Sequence, residues 1–73
     1  MYWYYDTPIG RLEIRYIPIE RCYAFVFNGV HWEACDSPVS EASNIFCHAT
    51  GCTEWDLSDC YAPEDLAEWI RCS

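Results

Sequence analysis

Apolar and polar residues alternate along the first part of the chain. In residues 11–16, Leu, Ile and Tyr take every second position and charged residues take the others, which is the period of a strand with one buried face. The aromatic run at residues 2–5 predicts a preceding strand, and the Pro and Gly in residues 6–10 predict the turn between the two. The pattern therefore predicts an antiparallel start to the fold.

An Asn-Gly pair at residues 28–29 predicts a tight β-hairpin. Its strands are predicted at residues 22–27 and 30–35. A two-residue turn would place Phe25 opposite Trp32 on one face and Cys22 opposite Cys35 on the other. The two cysteines would then be close enough for a cross-strand disulfide under oxidising conditions.

The Asp-Ser-Pro sequence at residues 36–38 predicts a helix start, because it supplies a capping oxygen followed by proline at the first helical position. The buried face is predicted from apolar residues at helical spacing, namely Val39, Ala42, Phe46 and Ala49. Gly51 then suits the left-handed conformation that often ends a helix.

The last part of the chain contains one more predicted helix. Residues 52–61 are polar and acidic and predict an ordered loop. Pro63 followed by two acidic residues predicts the second helix start, with Leu66, Trp69 and Ile70 buried. Residues 1–73 are thus predicted to be a single α+β domain, a small antiparallel β-meander of three to four strands with two helices packed on one face.

Composition adds a strong charge asymmetry. The formal net charge is −8, and there is no lysine. Residues 1–35 carry three Arg and four acidic residues, whereas residues 36–73 carry one Arg and eight acidic residues. Such a field repels nucleic acid and anionic membrane and attracts a basic surface. A solvated acidic face that only keeps the protein soluble is the alternative.

The start of the chain lacks the basic region and long apolar run of a signal peptide. No apolar stretch approaches the about 20 residues that a membrane span needs. We therefore expect a cytoplasmic protein with no membrane partner. In that compartment the six cysteines are expected to stay reduced.

A cluster of possible zinc ligands lies within fourteen residues of the second half. Its members are Cys47, His48, Cys52 and Cys60. Their spacing lacks the paired C-x2-C of common zinc folds. Small buried thiols without a metal are therefore the alternative, and we expect no cofactor.

No pattern in the chain requires an enzyme. Cys47 and His48 are neighbours on the predicted helix, so their side chains diverge and do not readily form a nucleophile–base pair. The carboxylates of Glu54, Asp56 and Asp59 lie on a predicted exposed loop, where no burial would separate their pKa values for acid–base catalysis. We expect no catalytic residues.

Three short motifs follow one another in the second half. They are Ser-Pro at residues 37–38 with Glu-Ala at 41–42, then TG-x-x-x-WD at 50–56, then P-x-DL-x-x-W at 63–69. This order resembles that of a group of small uncharacterised proteins from bacteria, their phages and mobile elements. The resemblance implies a fold and a genomic setting, not an activity. Within these motifs Asp56 is expected to accept hydrogen bonds from local backbone amides.

The charge asymmetry and the many aromatic residues favour a binding protein. We expect an inhibitor of a host nucleic-acid-handling or defence complex, comparable to anti-CRISPR proteins, whose acidic half occupies a basic groove. The predicted partner-binding residues are Glu54, Asp56, Asp59, Glu64, Asp65, Glu68, Trp55, Trp3 and Tyr4. The partner would be a basic host protein or nucleoprotein complex in the bacterial cytoplasm.

Two alternative functions remain open. The first is a structural or regulatory module that forms a homodimer through an uncovered sheet face or through the edge at residues 2–5. The second is a small zinc or thiol-redox protein built on the cysteines of the second half.

Overall fold

The alternating residues of the first half form the strands that their pattern predicts. In the computed structural model, which describes residues 1–72, the strands are β1 (Tyr2–Thr7), β2 (Gly10–Ile17), β3 (Cys22–Phe27), β4 (Val30–Cys35) and β5 (Ile70–Cys72). The helical elements are α1 (Pro38–Phe46), the short α2 (Thr53–Asp56) and a 3₁₀ helix (Leu66–Glu68). The strands form one antiparallel sheet in the order β4-β3-β2-β1-β5. The α+β class and the meander of the first four strands are confirmed.

One face of the sheet forms the core together with α1 and the segment that follows it. Leu12 and Ile14 of β2 lie beside Phe27 and Phe25 of β3, and all four are buried. The residues that cover them are Ala42, Ile45, Cys52, Trp55, Ala62 and Trp69. Burial of a large apolar side chain contributes about 1.5–3 kcal/mol, so this cluster is the main source of stability in a chain of 73 residues.

The hairpin turn at residues 28–29 is as predicted. Asn28 and Gly29 have φ angles of 52° and 78°, and two consecutive positive values are what a type I′ turn requires. Asparagine and glycine tolerate this conformation best. The turn sets the first pair of the hairpin, Phe27 with Val30.

The predicted register of the hairpin is wrong beyond its second pair. A β-bulge makes Phe25 pair with Glu33 instead of with Trp32. Because the bulge adds one residue to β4, Cys35 also moves by one position and does not pair with Cys22. All six cysteines of the chain are free thiols.

The predicted second helix is also wrong. The 3₁₀ helix is followed by Trp69 in an extended conformation, with φ −82° and ψ 158°, and then by β5, which pairs with residues 2–4 of β1. A short isolated helix is marginal, whereas a strand here hydrogen-bonds the free backbone groups along β1. Residues 2–4 are therefore not an open sheet edge, which removes one of the two routes of self-association that the sequence suggests, the other being an uncovered sheet face.

The buried face of α1 differs from the predicted one. Val39 is 61% exposed and Phe46 is also exposed. Glu41, Ala42 and Ile45 are fully buried against the sheet instead. Both stripes have helical spacing, but the observed one contains a carboxyl group, which a search for apolar residues does not select.

The start of α1 is as predicted, but its end is not. The Ser37 side chain caps the first turn by accepting a backbone N–H at 3.1 Å. At the other end His48 takes the left-handed conformation, with φ 56°. Its N–H donates to the Ile45 carbonyl at 3.1 Å, and the N–H of Ala49 reaches back to the last turn of α1 at 3.0 Å, which is a Schellman motif. Gly51 lies beyond this motif and does not end the helix.

These observations predict that two aliphatic positions of α1 differ sharply in their contribution to stability. We expect Ile45→Ala to lower the free energy of unfolding by about 2–5 kcal/mol, because it leaves a cavity in the core. Val39→Ala, at an exposed position of the same helix, should change it by less than about 0.5 kcal/mol. Urea denaturation followed by tryptophan fluorescence measures both values. Equal losses from the two variants would show that the helix face is wrongly placed.

Candidate functional site

Residues 47–69 form an acidic layer over the core. They contain six acidic residues and no Lys or Arg, and they contribute four side chains to the core cluster on the helix side of the sheet. The exposed acids of this layer are Glu54, Asp59, Glu64, Asp65 and Glu68. These five are the predicted partner-binding acids that the fold leaves at the surface.

The arginine ion pairs of the described residues lie on the sheet and not on the acidic layer. Arg11 contacts Asp6 at 2.7 Å, and Arg15 contacts Glu13 at 2.8 Å. In residues 1–72 no arginine forms an ion pair with an exposed carboxylate of the acidic layer. The charges of that layer therefore face solvent without a cationic neighbour in direct contact.

The sixth acid of the layer, Asp56, is engaged within the protein. Its carboxylate accepts hydrogen bonds from the Thr50 N–H at 3.1 Å, the Thr50 hydroxyl at 2.8 Å and the Gly51 N–H at 2.8 Å. Gly51 has φ +85°, a conformation that glycine adopts without strain. The expectation that Asp56 binds local backbone amides is confirmed, and these contacts explain the Thr-Gly and Trp-Asp pairs of the second motif. They also occupy the oxygens that a partner would contact.

Trp55 is part of the core and is not a surface residue. It is fully buried, and its indole N–H donates to the Ile45 carbonyl at 2.9 Å. The His48 ring stacks on it, with the ring centroids 4.6 Å apart and the planes 9° from parallel. The prediction that Trp55 contacts a partner is therefore wrong, because its hydrogen bond and its faces are already used.

Trp3 and Tyr4 lie on opposite faces of the sheet, because consecutive residues of a strand point to opposite sides. Trp3 packs against the core, 6.1 Å from the Tyr23 ring centroid. Tyr4 lies on the face away from the helices, where the Arg11 guanidinium carbon is 3.9 Å from its ring centroid, a cation–π distance. The two rings therefore cannot contribute to one patch with the acidic layer.

The predicted zinc ligands of the second half are not brought together. Cys47 is exposed and Cys52 is fully buried. The His48 Nε2 lies 2.9 Å from the Cys60 carbonyl, and its Nδ1 lies 3.2 Å from a second carbonyl. No three of these four residues have their ligand atoms within 4.8 Å of one another. The hypothesis of a metal site at Cys47, His48, Cys52 and Cys60 is wrong.

A different cluster does bring metal-binding side chains together. Glu33 and Cys35 of β4 and Glu41 of α1 have ligand atoms that all lie within 4.8 Å of one another, the only such group in the described part of the chain. The Asn44 amide donates to Glu33 Oε1 at 3.1 Å and to Cys35 Sγ at 3.3 Å. The sequence does contain a signal for this group, since residues 33 and 35 share a strand face and residues 41 and 44 share a helix face.

The environment of this cluster strongly perturbs two of its groups. Burial, and then the neighbouring Glu33, raise the pKa of Glu41 from 4.5 to about 9. Burial and the nearby carboxyl groups of Glu41 and Glu33 raise the pKa of the Cys35 thiol to about 11. Both groups are therefore protonated at neutral pH when no cation is bound. Glu41 lies outside the buried stripe that the apolar residues of α1 predict, so the sequence pattern did not indicate it as a site residue.

The comparisons with known proteins found no matching protein-family model, no similar curated protein and no similar solved structure. The resemblance to small phage and mobile-element proteins therefore stays a prediction. None of the helices in residues 1–72 is long and apolar enough to cross a lipid bilayer.

The buried carboxyl group predicts a stability that falls as pH rises. The pKa of Glu41 is about 9 in the folded chain and its ordinary value is 4.5, so between these values folding requires a proton that the unfolded chain has released. In the presence of EDTA, the free energy of unfolding should fall from pH 5 to pH 9 by up to about 1.4 kcal/mol per pH unit from this group. Glu41→Gln keeps a neutral side chain of the same shape and should remove this slope.

The measurement is urea denaturation of both proteins across this range of pH. The difference between wild type and Glu41→Gln isolates residue 41, because the remaining titrating groups are common to both chains. The stability of the variant relative to wild type should increase steadily with pH. Two parallel stability curves would contradict a protonated Glu41.

Proposed function

We propose that this chain is a small acidic binding protein that docks its acidic layer onto a basic protein surface. The observation that carries the proposal is the set of five exposed carboxylates in residues 47–69, none of which is paired with an arginine of the described chain. Unpaired surface charges of one sign speed the encounter with an oppositely charged partner and select against partners of the same sign.

The acidic layer is supported by contacts that reduce the flexibility of its backbone. Trp55 holds α2 to the core through its hydrogen bond to Ile45. Asp56 ties the end of α2 to residues 50–51. Asp65 begins the 3₁₀ helix by accepting the Ala67 N–H at 2.9 Å. Charges on a preorganised surface need less ordering when a partner binds.

The partner that this chemistry fits best is a protein whose own ligand is a nucleic acid. A groove that binds phosphates presents Lys and Arg, and a surface that carries several unpaired carboxylates competes for those side chains. We therefore propose that the chain inhibits a host nucleic-acid-handling or defence complex in the bacterial cytoplasm, in the manner of an anti-CRISPR protein. The predicted resemblance of the three motifs to phage and mobile-element proteins motivates the choice of this setting.

Two variants of equal net charge test the proposal. Glu64→Gln with Glu68→Gln removes two charges from the acidic layer, and Glu20→Gln with Asp36→Asn removes two exposed charges outside it. Each protein is immobilised, the basic proteins it retains from a bacterial lysate are identified, and the affinity for the purified partner is then measured at several salt concentrations. We expect wild type and the second variant to bind alike. The first variant should bind more weakly, with a smaller salt dependence, and nucleic acid should compete with wild type for the partner.

The controls define the result that would contradict the proposal. Because both variants have the same net charge, equal weakening would mean that total charge and not the acidic layer governs binding. A partner that is not basic, or one that binds nucleic acid and this chain simultaneously, would also exclude the proposed competition.

A second candidate function is self-association through β4, which is an outer strand of the sheet. Its exposed apolar residues, Val30 at 48% and Trp32 at 43%, favour this alternative, since an outer strand with apolar side chains is a template for pairing. Sedimentation should then show a dimer that Trp32→Lys converts to a monomer, while Leu57→Lys, at an exposed position elsewhere, has no effect. A monomeric wild type at high concentration would exclude it.

A further inference from the structure

The β-bulge in β4 decides which of its side chains face α1. Without the bulge, Trp32 would pair with Phe25, and Glu33 would lie on the opposite face of the sheet. With it, Glu33 takes the position opposite Phe25, and both Glu33 and Cys35 come within hydrogen-bond distance of Asn44 on α1. Bulges often re-aim side chains next to functional sites.

The bulge thereby completes a group of three potential ligands from two elements. The carboxylate oxygens of Glu33 and Glu41 and the Sγ of Cys35 lie within 4.8 Å of one another. Glu33 and Cys35 are half-buried and Glu41 is fully buried. The group therefore lies at the boundary between the core and solvent, with Glu41 as its innermost member.

Glu41 is the member of this group whose buried carboxyl oxygens lack hydrogen-bond partners. Neither of its carboxyl oxygens is accessible to solvent, and neither has a hydrogen-bond partner of acceptable geometry in the described residues. A buried polar atom without a partner costs about 1–3 kcal/mol. Glu33, Cys35 and the Phe25 backbone lie close enough to influence Glu41, but none of them forms a hydrogen bond of acceptable geometry with its oxygens. A cation between the three side chains would supply the missing partner.

We propose that Glu33, Cys35 and Glu41 form a binding site for a divalent zinc ion. Thiolate ligands select borderline and soft metals, whereas carboxylates alone suit Mg²⁺ or Ca²⁺. A set of one thiolate and two carboxylates is therefore best matched by Zn²⁺, which accepts both sulfur and oxygen ligands. Asn44 is a positioning residue that orients Glu33 and Cys35 from α1.

The spacing of the ligand atoms fits this assignment. Zinc bonds of about 2.0–2.3 Å in a tetrahedral arrangement separate the ligand atoms by about 3.5 Å. The observed limit of 4.8 Å requires only a small inward movement of side chains. Three protein ligands leave the fourth position for a water molecule, which can enter from the half-buried side of Glu33 and Cys35.

Zinc binding exchanges protons for the metal ion and involves no redox step. Zinc binds the deprotonated thiolate of Cys35 and the carboxylates of Glu41 and Glu33, so the thiol and carboxyl protons pass to solvent as the metal enters. No electron is transferred, and no oxidant or reductant is needed. The site lies outside residues 47–69, so it is independent of the acidic layer and of the proposed partner.

Cobalt substitution tests the site, because Co²⁺ takes tetrahedral zinc sites and its thiolate complexes absorb light through a sulfur-to-metal charge-transfer band. The probe is CoCl₂ added to the reduced, metal-free chain. We expect one Co²⁺ per chain, a near-ultraviolet charge-transfer band and displacement of cobalt by stoichiometric ZnCl₂. Zinc should also raise the temperature of unfolding.

Matched variants identify the ligands. Cys35→Ser should remove the charge-transfer band. Loss of a residue that only contacts a metal ligand typically lowers metal affinity about 10–100-fold, and Glu41→Gln, which removes a proposed ligand, should lower zinc affinity by at least as much. Cys47→Ser and Glu20→Gln, which change an exposed thiol and an exposed acid elsewhere, should bind as wild type does. Far-UV circular dichroism without metal checks that each variant is folded. If Cys35→Ser does not fold, the zinc affinity of Glu41→Gln decides the test.

Three outcomes would overturn the proposal. The first is a wild-type chain that binds neither Co²⁺ nor Zn²⁺ in a one-to-one ratio, in which case Glu41 simply holds its proton beside Glu33. The second is a charge-transfer band that persists in Cys35→Ser and disappears in Cys47→Ser. The third is a Glu41→Gln variant with unchanged zinc affinity.

Discussion

Helix α1 contacts the sheet through the stripe of Glu41, Ala42 and Ile45, and the rest of the covering layer is built on that contact. The Ile45 carbonyl, near the end of the helix, accepts the indole N–H of Trp55 in addition to the backbone N–H of His48. Burial of the Trp55 ring holds α2 in place, and the carboxylate of the adjacent Asp56 accepts hydrogen bonds from the backbone N–H groups of residues 50–51. The orientation of one nine-residue helix thus helps to position the acidic segment, because Trp55 is anchored to a carbonyl of that helix.

This orientation also places a carboxyl group in the core. A stripe made only of Val39, Ala42 and Phe46 would bury more carbon and no oxygen, but it would turn Ile45 away from the sheet. Burying Glu41 carries an electrostatic penalty that protonation or a bound cation can relieve. The β4 bulge brings Glu33 and Cys35 to the same place. A helix stripe and a strand irregularity, each unfavourable by the ordinary rules of patterning, therefore meet at one point, which is where functional groups are expected.

Structural features that depend on neighbouring residues could be predicted from the sequence, whereas pairings between distant parts of the chain could not. The Asn28-Gly29 turn, the Ser37 cap and the four strands of the meander depend on neighbouring residues, so their patterns predicted them correctly. The bulge depends on how Trp32 and Glu33 compete for the position opposite Phe25, and β5 depends on an edge of β1 that lies about seventy residues away along the chain. The site at Glu33, Cys35 and Glu41 needs both the bulge and the helix stripe. No pattern within one element contains that information.

Carboxyl side chains have two different roles in this chain, some being engaged inside the fold and others exposed on the acidic layer. A count of formal charges cannot separate the two. The formal charge of −8 includes Glu41, which burial keeps neutral when no metal is present, and Asp56, whose charge is held by amide and hydroxyl groups inside the fold. Zinc at the β4 site would replace two protons with a double positive charge, so the net charge of the site would be the same with and without metal. Metal binding would then stabilise the contact between α1 and β4 while the field of the acidic layer stayed nearly constant. The two proposed properties are for this reason physically separable, although both arise from carboxylates of the second half of the chain and its neighbouring strand.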